Sequence, residues 1–284
     1  MILVLTSTEL YYEEAVSVKL EQLWKALKGD NFAKHYVLRK IIRLFHRSKD
    51  DFHWNIYTHH YRGEMEQLAK DHILLLKTDD YVFRGQHLEK NNQSIKPLHP
   101  NWSALYETIL QLQPKSVVEA GCGNGMHLHN LKVLSPDLVV SGLDRSSGQL
   151  EYLKELNPEL EDCIKIFDLT QSLPQNLSSS ADVCYSQAVI MHIKTNDLHM
   201  QALANMFTIA TKQVVLMENW KHHHFMDDIL SLHSRKMIPW KQVYLYYRLS
   251  QELQKPHIMV CSSVPLDYPV LDNYDTLRNE VHAV

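Results

Sequence analysis

Glycine is scarce in this 284-residue chain, with 8 residues, and cysteine is scarcer still, with 4. The thiols Cys122, Cys163, Cys184 and Cys261 form no CxxC pair, and each sits in or beside an apolar stretch. That argues against a zinc framework or a disulfide scaffold and leaves buried, inert thiols as the expectation. Ten prolines beside so few glycines exclude a collagen-like or low-complexity chain. No apolar run approaches the roughly 18 residues of a membrane span. The opening Met1-Ile2-Leu3-Val4-Leu5 has no basic n-region, so a cytoplasmic location is expected. Excess positive charge is missing too: 29 Lys and Arg against 33 Asp and Glu give a net charge of −4. A nucleic-acid role would have to rest on a local patch. What remains, 45% hydrophobic and 22% charged residues, is the composition of an ordinary globular protein of one or two domains.

Two regions read differently along the chain. Residues 1–100 suggest a helical N-terminal cap or substrate lid. Val16, Leu20, Leu23, Trp24 and Leu27 fall at helical spacing, and Val37, Leu38, Ile41, Ile42 and Phe45 form a second stripe. The polar side of that second helix, residues 34–49, carries Lys34, Arg39, Lys40, Arg43, Arg47 and Lys49. A third helix is expected near Glu64–Leu75. Residues 85–100 read as a polar connector closed by Pro97 and Pro100. From Asn101 the pattern alternates helix and strand. Strands are expected at 116–120, 138–144, 163–169, 181–190, 213–218, 243–247 and 257–263, with helices between most of them. That implies an α/β fold, a mostly parallel sheet of seven strands covered on both faces, over residues 101–264. Residues 265–284 read as a loosely packed C-terminal tail.

The densest signal is Val117-Val118-Glu119-Ala120-Gly121-Cys122-Gly123-Asn124-Gly125, which holds three of the eight glycines. Glycine there lets a strand turn sharply into a helix and lets a ligand lie close over the turn. The spacing is G-x-G-x-G, not the G-x-G-x-x-G of dinucleotide folds, and no Lys-Ser/Thr follows as in a phosphate-cradling loop. Asp144 ends the second strand 19 residues after Gly125, Asp168 ends the third, and Ser186-Gln187 stand at the end of the fourth. Each landmark also has a plainer reading. The glycines could mark any strand–helix junction, and Asp144 and Asp168 could cap helices.

E-x-G-x-G-x-G after a first strand, with an acid closing the second, resembles the class I S-adenosylmethionine-dependent methyltransferases. The resemblance covers about 101–264 and is sharpest at 117–193. It implies a Rossmann-like methyltransferase sheet with S-adenosyl-L-methionine as cofactor and S-adenosyl-L-homocysteine as product. Glu119 and the turn Gly121, Cys122, Gly123, Asn124 and Gly125 would face the methionine portion and ribose. Asp144, with Arg145 beside it, would take the ribose hydroxyls, as an acid does in dinucleotide folds. Asp168 and Leu169 would meet the adenine, and Ser186 and Gln187 would lie below the sulfonium. His192, in Val189-Ile190-Met191-His192-Ile193, is the candidate catalytic base, because imidazole titrates near neutral pH; a packing histidine is the alternative.

The acceptor is expected to be a small molecule or a carbohydrate-like glycan precursor, methylated on oxygen or nitrogen. Tyr57, His60, Tyr61 and Arg62 lie in an aromatic, polar segment suited to a pocket wall, with Arg62 placed near the cofactor carboxylate. Glu218, Asn219, His222 and His223 follow the fifth strand and are further candidates for substrate contact. His223/Asp227 and His224/Asp228 have metal-like spacing if helical. The fourth strand lacks the acid that metal-dependent members use, so no metal is expected. Nucleic acid is disfavoured as acceptor, since charge runs are usually solvated faces and no nucleic-acid motif is present. The rivals are a nucleic-acid or protein methyltransferase using the basic helix 34–49, and a non-catalytic binder of the same cofactor. A homodimer is compatible with the sequence.

Overall fold

A computed structural model describes residues 54–194, 196–250 and 255–278. The helices expected at Val16–Leu27 and Val37–Phe45, with the basic face of 34–49, lie outside the described residues. Within them the chain opens with α1 (Trp54–Leu68) and a hairpin of β1 (Tyr81–Arg84) and β2 (His87–Lys90). Then come α2 (Pro100–Gln111), β3 (Ser116–Ala120), α3 (Met126–Leu134), β4 (Val139–Asp144), α4 (Ser147–Leu156) and β5 (Ile164–Ile166). β6 (Ala181–Gln187), α5 (Leu198–Ile209), β7 (Ala210–Met217) and α6 (Phe225–Ser234) follow. β8 (Tyr244–Ser250), β9 (Lys255–Ser262) and the short α7 (Asp275–Arg278) complete the order.

Seven strands form one sheet in the order β5-β4-β3-β6-β7-β9-β8. β3 to β7 run parallel, and β9 and β8 are antiparallel at one side. The seven-stranded, mostly parallel α/β sheet is therefore as expected. The central strands show why it forms. Val117, Val183, Tyr185 and Val215 point to one face, where they meet Leu105, Tyr106 and Ile109 of α2 and Leu128 and Leu131 of α3. Val118, Cys184, Val214 and Leu216 point to the other, against Phe207 and Ile209 of α5 and Phe225 and Ile229 of α6. Period-2 alternation between two apolar faces is what a strand covered on both sides requires. The chain enters the sheet at β3, winds outward to β5, and returns to the opposite side of β3 with β6. That reversal opens a crevice at the carboxyl ends of the strands, where ligands of such sheets sit.

Four details depart from the sequence expectation. The third helix is described over Trp54–Leu68 and stops at Leu68, short of Leu75. The polar connector contains the second strand of a hairpin, turning at Gly85–Gln86 with Gly85 at φ +62°; His87, Glu89 and Lys90 give no apolar alternation by which to see it. The third sheet strand shrinks to Ile164–Ile166, bounded by the 3-10 segment Pro158–Cys163 before it and a turn at Asp168–Gln171 after it. The tail is not loosely packed as far as Arg278. Leu271, Tyr274 and Leu277 are buried, Val270 bridges to Tyr246, and the Tyr274 hydroxyl donates to the His223 carbonyl at 2.8 Å. Among the described residues no helix is long and apolar enough to cross a membrane.

Candidate active site

A cavity of about 290 Å³ lies at the carboxyl ends of β3, β4 and β6. Its floor is the glycine turn. The N–H groups of Gly121 and Cys122 both donate to the Leu143 carbonyl, at 2.7 and 3.1 Å, which ties the turn to β4. Gly121 sits at φ +78°, and a Cβ there would stand 2.5 Å from Val189. A side chain at this position is disfavoured for backbone and packing reasons alike. Gly123 differs: the nearest atom to a Cβ is Gln149 Oε1 at 3.5 Å. That oxygen is buried, lacks a hydrogen-bond partner and faces the same cavity.

Acidic groups line one side. Asp144 accepts the Gly123 N–H (2.8 Å) on Oδ2 and the Ser146 N–H (2.8 Å) on Oδ1. Burial raises its pKa, against the lowering effect of those N–H groups and of Arg145. The helix cap is Ser146, whose hydroxyl accepts from Gln149 N, so capping does not account for Asp144. Asp168 accepts the N–H and hydroxyl of Thr170 and lies 3.6 Å from Arg145. The next helical turn, Gln175–Leu177, is preceded by Pro174 and not by Asp168. Glu119 is almost fully buried, which pushes its pKa well up, and it accepts the Tyr185 hydroxyl at 3.1 Å. Leu169 and Asn124 complete this side; the Asn124 carbonyl is held by Asn157 at 3.0 Å.

The opposite side comprises Gln187, Val189 and His192 from the end of β6 and the turn after it, with Tyr61 of α1. Burial, Lys194 and His222 lower the His192 pKa to about 4, so the ring is neutral at pH 7. The turn Ile190–His192 hangs on Glu218. This carboxylate accepts the N–H groups of Val189, Ile190 and Met191 and the Ser186 hydroxyl, the last at 2.7 Å.

Several expected residues stand elsewhere. Ser186 and Glu218 do not line the cavity: both are buried and committed to each other. Arg62 is turned to α4, where it makes a two-pronged pair with Glu155 (2.7 and 3.0 Å) over the Tyr152 ring. Gly125 caps α3 from beneath the turn. Asn219 and His222 are exposed outside the cavity, and His223 stacks on His199 at 4.0 Å. The side chains of Tyr57 and His60 lie outside the description, although both residues belong to α1. Among the described residues no group of three or more His, Cys, Asp or Glu could hold a metal. Sequence reasoning missed His99, Trp102, His127, Gln149 and Phe167, all lining the cavity. Of these, only His127, a polar residue on the first turn after the glycines, left a trace that could have been read.

A mostly parallel sheet with this strand order, a glycine turn after its first strand and an acid at the end of the next give the Rossmann-like methyltransferase architecture. Residues 118–216, a part of the chain, match the methyltransferase domain family, in keeping with the resemblance to the class I S-adenosylmethionine-dependent methyltransferases. Among proteins it is similar to, the putative methyltransferase 235L of Invertebrate iridescent virus 6 is 24% identical over 166 residues, which are 58% of this chain and 54% of that protein. The tRNA (carboxymethyluridine(34)-5-O)-methyltransferase ALKBH8 of Mus musculus is 31% identical over 106 residues, 37% of this chain and 14% of that protein. This chain thus spans about half of the first relative and a small part of the second. The fold is shared with a TehB-like SAM-dependent methyltransferase from Corynebacterium glutamicum, at TM-score 0.50 and 16% identity, over 76% of this chain and 99% of that one.

Proposed function

We propose that this chain transfers a methyl group from S-adenosylmethionine to oxygen or nitrogen of a small molecule or carbohydrate-like acceptor. One observation carries the reading: the glycine turn, Asp144 and Asp168, far apart in sequence, converge on a single cavity. The fit to the cofactor is chemical. Gly123 leaves open surface beside an unpartnered amide oxygen of Gln149. Each oxygen of Asp144 takes one main-chain N–H and keeps lone-pair capacity for a ribose hydroxyl. Asp168 and Arg145 offer polar partners to the base.

The bound cofactor supplies an activated methyl whose displacement needs mainly an aligned nucleophile. This chain's part is to hold, orient and dehydrate. Asp144 arrives already oriented by two N–H donors. Glu119, kept protonated more readily by burial, offers a carboxyl without a full buried charge. His192 lines the cavity and is neutral at physiological pH; its lowered pKa of about 4 makes it a weaker base than the free imidazole the sequence suggested, so its proposed part is to orient the acceptor's proton. We assign α1 to the lid, since Tyr61, Met65 and Leu68 wall the cavity.

The test has two stages. Calorimetry with S-adenosylhomocysteine should show binding to the full chain, and its absence would sink the reading. Methyl-labelled cofactor offered to fractionated metabolites should then label a small-molecule pool. His192→Ala should lower that turnover by about 10²-fold. A second reading, methylation of a tRNA nucleotide, is favoured by the similarity to the mouse tRNA enzyme; label entering tRNA instead would select it.

A further inference from the structure

Gln187, the last residue of β6, is the near end of a string of side chains that runs from the cavity into the core. His127 Nε2 lies 2.6 Å from Gln187 Oε1, and His127 Nδ1 lies 2.8 Å from the Tyr106 hydroxyl. That hydroxyl accepts from Asn130 Nδ2 at 3.0 Å. The far end is pinned by main chain. Asn130 Oδ1 accepts the Leu76 N–H at 2.8 Å, and Asn130 Nδ2 also donates to the Leu74 carbonyl at 2.9 Å.

A main-chain N–H only donates and a carbonyl only accepts, so the Asn130 amide has one orientation. Direction then passes along the string. Asn130 donates to the Tyr106 oxygen, so the hydroxyl proton goes to its other partner, His127 Nδ1. His127 must then carry its own proton on Nε2 and give it to Gln187 Oε1. A flipped Gln187 would set two donors against each other at 2.6 Å. Burial, which lowers the His127 pKa to about 4, keeps the ring singly protonated. With Oε1 committed, the Gln187 amide nitrogen is the free end, and the described residues offer it no hydrogen-bond acceptor.

We propose that Gln187 is a specificity-determining residue: its N–H groups meet an oxygen of the acceptor, a hydroxyl or carboxylate, and disfavour an ammonium in the same place. Asn130, Tyr106 and His127 are positioning residues that set this polarity from the Leu74–Leu76 main chain. The assignment rests on the methyltransferase reading only in calling the ligand an acceptor.

Nitrogen-15 NMR of the full chain labelled at histidine, with His127 assigned by its loss in His127→Gln, reads the relay directly. The expected state is a proton on Nε2 and none on Nδ1, unchanged between about pH 8 and pH 5.5. A proton on Nδ1, or titration within that range, would overturn the relay. The ligand arm uses benzyl alcohol, benzoate and benzylamine, titrated with S-adenosylhomocysteine present. Gln187→Met should weaken the alcohol and the carboxylate by about 5- to 10-fold, the worth of a hydrogen bond, and leave the amine unweakened. Equal or greater loss for the amine would refute the selectivity. If S-adenosylhomocysteine does not bind at all, the functional reading fails, while the tautomer measurement still decides the relay.

Discussion

The two sides of the cavity are held by different means. On the side of β3 and β4, Asp144 and Asp168 are held by main-chain N–H groups no more than 21 residues away, although Glu119 also takes the Tyr185 hydroxyl from 66 residues away. Asp144 is fixed by the N–H groups of Ser146, two residues on, and of Gly123, 21 residues back. On the side of β6 and β7, support is borrowed from distant residues. Glu218 reaches 27 to 32 residues back to hold Ser186 and the turn before His192, and His127 reaches 60 residues to Gln187. A side built from a local motif keeps its chemistry wherever the motif occurs. A side built from distant partners takes its chemistry from the whole fold, and it is on this side that the proposed acceptor preference lies.

Glu218→Ala should break the contrast most severely. It strips a buried carboxylate from three N–H groups and a hydroxyl, so the loss expected in chemical denaturation is about 3–5 kcal/mol. Gly121→Ala should follow at about 2–3 kcal/mol, from a strained φ and the contact with Val189. Val189→Ala in the same chain should recover part of that loss, and no recovery would mean the contact is not the cause.

Asp144→Asn sharpens the comparison from the other side. Affinity for S-adenosylhomocysteine should fall by about 1.5–3 kcal/mol in calorimetry, with little change in melting temperature. His127 supplies a pH dependence. Its folded pKa, about 4, lies below the ordinary 6.5. The unfolded chain therefore binds the proton more readily between those values, so stability is full above about pH 6.5 and falls as pH drops towards 4. The expected loss is about 2 kcal/mol between about pH 7 and pH 5. His127→Gln should remove its share of that slope and leave the share that His192, also lowered to about 4, contributes; an unchanged slope would place the titration elsewhere. The smallest effect is expected at Arg62. Because it pairs with Glu155 outside the cavity, Arg62→Gln should leave S-adenosylhomocysteine affinity unchanged.

The same division explains what the sequence made legible. The sheet could be read because each central strand is a short apolar run. The glycine turn, Asp144 and Asp168 could be read because the chain places them at successive strand ends. His192 could be placed at the mouth because it follows β6 by a few residues. Glu218 and Ser186 looked like cavity residues by the same logic, yet they face each other, because the turn's N–H groups needed a buried acceptor and position along a strand does not reveal that. Arg62 looked like a cofactor ligand, but Glu155 and Tyr152 on α4 compete for it, and no linear pattern records their proximity. Trp102 and His127 lie on helices whose side facing the cavity the sequence pattern did not mark. The hairpin at Tyr81–Lys90 escaped because its second strand is mostly polar.

Val189 occupies the space that any side chain on Gly121 would fill. The two walls are thus interlocked at one point, like a tenon in its mortise. A chimaera that grafted a foreign acceptor segment after β6 onto this scaffold would need a residue of matching shape at position 189. A smaller one would leave a gap under the glycine turn, and a larger one would press that turn out of line, so on the proposed reading a change of acceptor would also disturb the hold on the cofactor.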